Sequence, residues 1–294
     1  MRVAIIDVGA NTLRLLVASP SGDGLVRIRE EREQLGLGQE VERHGYISAD
    51  KVARAAEVAR EQTRIARRLG CERIEIVVTS PGRQSANGEE FADALARATG
   101  VTTRILSFEA EAVLAWEGAV AALDEVPESV AVCDVGGGST QIAVGTRAGG
   151  PVWIRSVDLG SLRLSERLLA ADAPGRKDVT AARAEAEEAF ASIISPVALL
   201  GLATGGTARA LRRMVPSLDA DGLESAIERL AGLKRAKIAK ELGISPQRAA
   251  TLLAGTILFG EAQKRLGVPL QPAAGGVREG SALSLLRQSA TAYG

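Results

Sequence analysis

One stretch of this sequence is written twice. Val3-Ala4-Ile5-Ile6-Asp7-Val8-Gly9 runs through a polar turn into Leu13-Arg14-Leu15-Leu16-Val17-Ala18. Val130-Ala131-Val132-Cys133-Asp134-Val135-Gly136 does the same and continues into Ile142-Ala143-Val144. Aliphatic runs on either side of a glycine-bearing turn predict a β-hairpin, with Asp7 to Thr12 at one tip and Asp134 to Thr140 at the other. Self-similarity at a spacing of about one domain predicts a duplicated fold with two facing halves. The length of 294 residues suits two domains rather than one.

Between the two copies, strand and helix patterns alternate. Ser48 is placed to cap a helix reaching Leu69, with Val52, Ala55, Ala56, Ala59 and Ile65 as its apolar stripe. Ile74 to Ser80 reads as a buried strand, Glu89 to Thr99 as a helix, Thr102 to Phe108 as a strand, and Glu109 to Ala122 as a helix. Such alternation is the α/β signature. The polar, proline-bearing stretch Leu123 to Ser129 breaks it, so the domains are drawn as 1–124 and 125–294, with the last helix able to pack back on the first. The second domain then reads as a strand at Val152 to Val157, helices near Ser161–Leu169 and Ala181–Ser192, a strand into a glycine turn at Leu199–Thr207, and mainly helix beyond.

Composition narrows the chemistry. Thirty-six basic and thirty-six acidic side chains give a net charge of zero, so the whole molecule is no electrostatic magnet for nucleic acid. Aromatic residues are only 3%, which argues against base-stacking platforms. The two cysteines, Cys71 and Cys133, lack the spacing of a disulfide framework or a zinc cluster. His44 is the single histidine and lies in a polar stretch, so Ser-His, Cys-His and multi-histidine metal chemistry have little to build on. The N-terminus has no signal-peptide pattern, and no run of about 18 apolar residues could span a bilayer. These features predict a cytoplasmic protein.

Three glycine-bearing turns follow apolar runs: Asp7–Thr12, Asp134–Thr140 and Thr204–Thr207. Glycine lets backbone N–H groups approach an anion, and Ser or Thr hydroxyls add hydrogen bonds, so converging turns of this kind cradle phosphates. Two aspartates in equivalent turns suit Mg²⁺, with Mn²⁺ as an alternative. A single such turn would be only a tight turn; two matched copies and a third predict phosphate handling.

These residues resemble the actin, sugar-kinase and Hsp70 superfold, in which two ribonuclease H-like α/β domains face across a cleft. Within it the sequence is similar to the exopolyphosphatase and guanosine pentaphosphate phosphatase (Ppx/GppA) family. The matching segments are Asp7 to Arg14, Thr79 to Asn87, Asp134 to Thr140, Leu159 to Leu164, Ala203 to Thr207 and Val277 to Gly280. They span nearly the whole chain in order.

The resemblance implies roles. Asp134 and Asp7 would organise Mg²⁺. Asn11, Thr12, Arg14, Gly136, Gly137, Gly138, Ser139, Thr140, Gly205, Gly206 and Thr207 would bind the terminal phosphates. Glu111 would activate water, with Glu109 as the second candidate, and Arg83 would clamp phosphate oxygens. Acids at a helix start also complement its dipole, so spacing alone does not choose between the two. Pro81-Gly82, Phe108, Ala110 and Val113 depart from the family pattern.

The implied activity is release of orthophosphate from the end of inorganic polyphosphate, with guanosine pentaphosphate as the alternative substrate and a homodimer as the implied assembly. A non-catalytic regulator and a kinase of the same superfold are the other readings. Longer family members carry further C-terminal domains, and the end of this sequence after the second domain predicts weaker processivity or a preference for short chains. One segment points elsewhere. Lys237 to Ala250 has the outline of a helix-turn-helix, yet its second helix continues into Leu252-Leu253-Ala254 and reads as core instead. The run Arg27–Glu33 alternates in charge and reads as an exposed face.

Overall fold

The repeated pattern forms two hairpins of the same register. In a computed structural model describing residues 1–22 and 24–291, Val3–Val8 (β1) pairs antiparallel with Thr12–Ser21 (β2), with Asp7 opposite Arg14. Val130–Val135 (β6) pairs antiparallel with Thr140–Thr146 (β7), with Asp134 opposite Gln141. The backbone divides into two units, Met1–Ala122 with the C-terminal helix, and Leu123–Ala274.

In the first unit Gly24–Gln34 (β3) adds to β2, and Leu37–His44 (α1) and Ala49–Arg68 (α2) lead to Arg73–Val78 (β4). Ser80–Gln84 (α3), Gly88–Thr99 (α4), Thr102–Ile105 (β5) and Phe108–Val120 (α5) complete its N-terminal part. The sheet order is β3-β2-β1-β4-β5, the first three antiparallel and β1, β4 and β5 parallel. Ser48 caps α2 as its sequence predicts, its hydroxyl accepting from the Lys51 N–H. His44 is the exposed last residue of a helix, where the sequence reads as a polar loop.

The second unit continues with Gly150–Val157 (β8), Ser161–Leu168 (α6), Arg176–Ala189 (α7), Leu200–Thr204 (β9) and Gly205–Leu211 (α8). Ala220–Leu230 (α9), Arg235–Leu242 (α10), Pro246–Leu266 (α11) and Leu270–Pro272 (β10) follow. Its sheet runs β8-β7-β6-β9-β10, the same order and the same antiparallel-then-parallel pairing as the first. Val277–Thr291 (α12) packs on α5 and β1 in the first unit.

Each sheet positions its hairpin by burial. Along β1, Ala4, Ile6 and Val8 face a core shared with Ala55 and Ala59 of α2 and Phe91 of α4. Val3 and Ile5 face the opposite core, with Leu114 of α5 and Ala282 and Leu285 of α12. A strand covered on both faces reads as a continuous apolar run, which is what the sequence shows. The close meeting of α5 and α12 depends on glycine: a Cβ at Gly280 would fall 1.9 Å from the Leu114 carbonyl. The charged run of β3 is partly tied to α12, since Arg27 pairs with Glu279 at 3.0 Å and Glu30 with Arg278 at 2.9 Å. The family-like segment Val277–Gly280 therefore serves packing. Among the described residues, no helix is long and apolar enough to cross a membrane. Cys133 is fully buried, and burial pushes its thiol well above its ordinary value, with Asp134 adding to the effect.

Candidate active site

The candidate residues of the first unit gather at the carboxyl ends of β1, β4 and β5, the end of a parallel sheet where α/β folds place ligands. At the end of β1 the Gly9 N–H donates to the Thr12 carbonyl at 3.0 Å and closes the turn. The Asn11 carbonyl accepts from Leu35 and Gly36, and the Ala10 carbonyl from Gly38. A trans peptide points its carbonyl and the next N–H in opposite directions, so these bonds turn the Asn11 and Thr12 N–H groups to the other side of the turn. Thr12 is buried, and its hydroxyl accepts from Nε of Arg14 at 3.2 Å. Thr79, at the end of β4, binds the Val8 carbonyl through its backbone N–H.

Arg83 and Glu111 meet here. Arg83 lies on α3 and Glu111 in the first turns of α5, and Nη2 of Arg83 is 2.6 Å from Oε2 of Glu111. Their side chains are only 10% and 8% exposed, so this is a buried ion pair. Nη1 of Arg83 donates to the Leu106 carbonyl at 2.6 Å, and its guanidinium lies 4.2 Å from the centroid of the Phe108 ring. Phe108, a departure from the family pattern, thus forms one wall of the pair. Pro81 and Gly82, two more departures, lie buried in α3. Asn87 of the same segment does not join the pair. Its amide bonds both the N–H and the carbonyl of Ile47 and ties that loop down.

Glu109 behaves differently from Glu111. It is fully exposed to solvent, and its own backbone N–H and the Ser107 hydroxyl hold its carboxyl below the usual range. Of the two acids, Glu109 is the one placed to complement the helix start.

In the second unit the equivalent turn is closed by the same bond, Gly136 N–H to Ser139 carbonyl at 3.0 Å. The Gly136 carbonyl accepts from the Ser161 N–H and hydroxyl, and the Gly137 carbonyl from Leu162 and Arg163. By the trans-peptide rule these bonds direct the N–H groups of Gly137 and Gly138 to the opposite side, a concave donor array of the kind that binds anions. The family-like segment Leu159–Leu164 is therefore the backing of the loop. Leu159 also accepts the Thr140 hydroxyl at 2.8 Å.

The third turn touches the second. Thr204 donates its hydroxyl to Oδ1 of Asp134. Gly205 has φ +91°, and a Cβ there would lie 3.5 Å from the same oxygen. Gly205→Ala is expected to cost roughly 1–2 kcal/mol through backbone strain alone, read as a lower midpoint in urea unfolding. An unchanged midpoint would show that the turn relaxes out of the left-handed region. Arg248, at the start of α11, donates to the Thr207 hydroxyl at 3.2 Å, and its guanidinium lies so near Gly206 that a Cβ would fall 2.4 Å from it.

The two copies differ in how well they would suit a metal ion. Asp7 stands opposite the cation Arg14 in the ladder, whereas Asp134 stands opposite Gln141. Gln141 is 1% exposed; its amide donates to the Ser139 hydroxyl at 2.8 Å, and its buried Oε1 has no hydrogen-bond partner. A carboxylate and a neutral amide oxygen facing the same side of adjacent strands are the hard oxygen donors that Mg²⁺ takes alongside several waters. The Asp134 copy fits such a cation better than the Asp7 copy. Among the described residues no group of three or more His, Cys, Asp or Glu side chains could hold a metal, so water would complete the shell.

Three participants escape a reading of the sequence. Gln141 is found only through its register opposite Asp134. Phe108 shows in the sequence only as a departure from the family pattern, and its place beside Arg83 only in the structure. Arg248 sits inside the segment shaped like a helix-turn-helix.

Two α/β units of one strand order, each with a glycine-closed turn at the tip of its first hairpin, define the actin, sugar-kinase and Hsp70 superfold. Within it the chain belongs to the Ppx/GppA phosphatase family, whose sequence profile matches residues 16–289. It is 31% identical over 292 residues to exopolyphosphatase 2 of Mycobacterium tuberculosis, covering 90% of this chain and 91% of that protein. Among solved structures, the Aquifex aeolicus family member is 24% identical, covers 98% of each chain and has a TM-score of 0.83. An exopolyphosphatase from Cytophaga hutchinsonii is 19% identical, covers 98% of each and has a TM-score of 0.87. At those identities the structural likeness speaks to the fold, and the family to the class: this chain is an enzyme.

Proposed function

We propose that the protein is an exopolyphosphatase, releasing orthophosphate from the end of inorganic polyphosphate. The observation that carries this reading is the buried Glu111 carboxylate, held by Arg83 and walled by Phe108. It supplies a fixed base in the unit whose first turn has anion-binding form, and the exopolyphosphatases among its relatives supply the substrate class.

In the proposed step Glu111 takes a proton from water as the water oxygen bonds to the terminal phosphorus. The bridging P–O bond breaks, and its electron pair leaves with the shortened chain. Arg83 aims the carboxylate, a positioning role in place of the direct phosphate clamp that the resemblance implies. Within the second unit, the Gly137 and Gly138 N–H groups and the Ser139 hydroxyl would bind phosphate oxygens; within the first, the Asn11 and Thr12 N–H groups have the same anion-binding form. Asp134 and Gln141 would hold Mg²⁺, which supplies charge neutralisation on the phosphates when bound.

The test is phosphate release with Mg²⁺ from short polyphosphate, long polyphosphate, guanosine pentaphosphate and ATP in parallel. Polyphosphate is expected to be turned over at least tenfold faster than the other two, per enzyme and at equal phosphate-end concentration. Preference for guanosine pentaphosphate would replace the substrate and keep the reaction class. No release from any of the four would leave the turns as a binding site and overturn the proposal.

A further inference from the structure

Lys51 breaks a local rule. It is the third residue of α2, in the first turn, where the positive end of the helix dipole disfavours a cation. Ser48 and Asp50 beside it suit that end, and Lys51 does not. The start of the helix is firmly held, since Glu40 of α1 accepts both the N–H and the hydroxyl of Ser48 at 2.9 Å. From that fixed root the half-buried Lys51 side chain reaches out of its helix, and Nζ donates to the Leu35 carbonyl.

That carbonyl belongs to a peptide group whose other end backs the first glycine turn. The peptide joining Leu35 to Gly36 carries the Gly36 N–H, which donates to the Asn11 carbonyl at 3.1 Å. The peptide joining Asn11 to Thr12 carries in turn the Thr12 N–H, directed to the opposite side. Each peptide is conjugated. Drawing electrons toward its oxygen leaves its N–H more positive, and hydrogen bonds in series strengthen one another. Two peptide groups therefore carry the field of the Lys51 ammonium to the Thr12 N–H. A second path starts from α1. The Gly38 N–H, at the positive end of that helix, donates to the Ala10 carbonyl at 2.7 Å, whose peptide carries the Asn11 N–H. Both N–H groups are thus backed by positive charge set behind the backbone.

We propose that Lys51 is a positioning residue for phosphate binding: its charge, relayed through the Leu35 and Asn11 peptides, strengthens the Thr12 N–H as a donor to a phosphate oxygen. The proposal rests on the exopolyphosphatase reading and deepens it. Lys51 acts through the backbone rather than by contact with the substrate. A cation set there raises the affinity for an anion and leaves the face of the turn to N–H groups, whose fixed directions decide where the phosphate sits. A plain structural tie would need only a donor to the Leu35 carbonyl. The relay needs the charge as well.

The test compares the wild type with Lys51→Met, Lys51→Gln and Lys51→Arg, and with Arg64→Met, an equal loss of charge at an exposed position of the same helix. Tripolyphosphate affinity is read by calorimetry, and the Gly36 and Thr12 amide protons by nuclear magnetic resonance of the free protein. Lys51→Met is expected to lower tripolyphosphate affinity about fivefold and to move both amide protons upfield together. KM for polyphosphate should rise by the same factor with kcat within about twofold, the pattern of a lost binding interaction. Lys51→Arg, which keeps a cation and a donor, should recover binding. Lys51→Gln, which keeps a donor and loses the charge, should not. Arg64→Met should leave the affinity and both amide signals as they are. The proposal is overturned if the wild type does not bind tripolyphosphate, if Lys51→Met binds as the wild type does, or if Lys51→Gln restores binding in full. It is equally overturned if Arg64→Met weakens binding as much as Lys51→Met, which would make the effect one of net charge. Binding that depends on Lys51 without phosphate release would sink the hydrolase reading and keep the relay; release with Lys51→Met equal to the wild type would do the reverse.

Discussion

Glu111→Gln is expected to slow phosphate release from polyphosphate about a thousandfold, within the usual contribution of a positioned general base, while changing polyphosphate affinity less than about threefold. Glutamine keeps the size of the side chain and still offers an oxygen to Arg83, but it cannot accept a proton from water. The split between rate and affinity is what separates a base from a binding residue. Glu109→Gln is the matched comparison. That carboxyl is exposed, and its own backbone N–H and the Ser107 hydroxyl hold it at the helix start, below the usual carboxylate range. Its substitution should leave the rate within about threefold. A reversal of the two results would move the base to Glu109, and equal small effects would remove the carboxylate mechanism altogether.

Arg83→Ala should be the most destabilising of the site substitutions, at about 3–5 kcal/mol, because breaking a buried ion pair strands the remaining charge. Glu111 would keep its buried position and lose its cation, while the Leu106 carbonyl and the face of Phe108 would lose the same guanidinium. The double variant Arg83→Met/Glu111→Leu should recover most of that stability and none of the activity, since neither charge is then buried alone. Urea unfolding in a Trp153→Phe background makes this readable. Trp153 lies in the second unit, so the remaining tryptophan, the buried Trp116 of α5, reports on the first. An Arg83→Ala protein with unchanged stability and a tenfold higher KM would restore Arg83 to the role of a phosphate clamp.

Much of the architecture is legible in the sequence for a physical reason. A hairpin buried on both faces must be written as two aliphatic runs, and the turn between them must be short and polar, so the duplication is visible at Asp7-Val8-Gly9 and Asp134-Val135-Gly136. The caps are equally local: Ser48 accepts from the N–H three residues on. The element least legible was β3, an edge strand whose polar outer surface reads as a charge run. Its partners on α12 come from the far end of the chain.

The site divides along the same line. Residue type and local spacing determined the two aspartate turns, the glycine loops and the pair of acids at the start of α5, because turn and helix-start chemistry act over a few residues. Tertiary structure decided everything that depends on which side chain stands opposite. It paired Arg83 with Glu111, set Phe108 against that pair, gave Asp7 a cation and Asp134 a neutral amide as cross-strand neighbours, and brought Arg248 to the third turn. Those contacts join residues distant in the chain, and their energies depend on burial and charge, which spacing along the sequence does not encode.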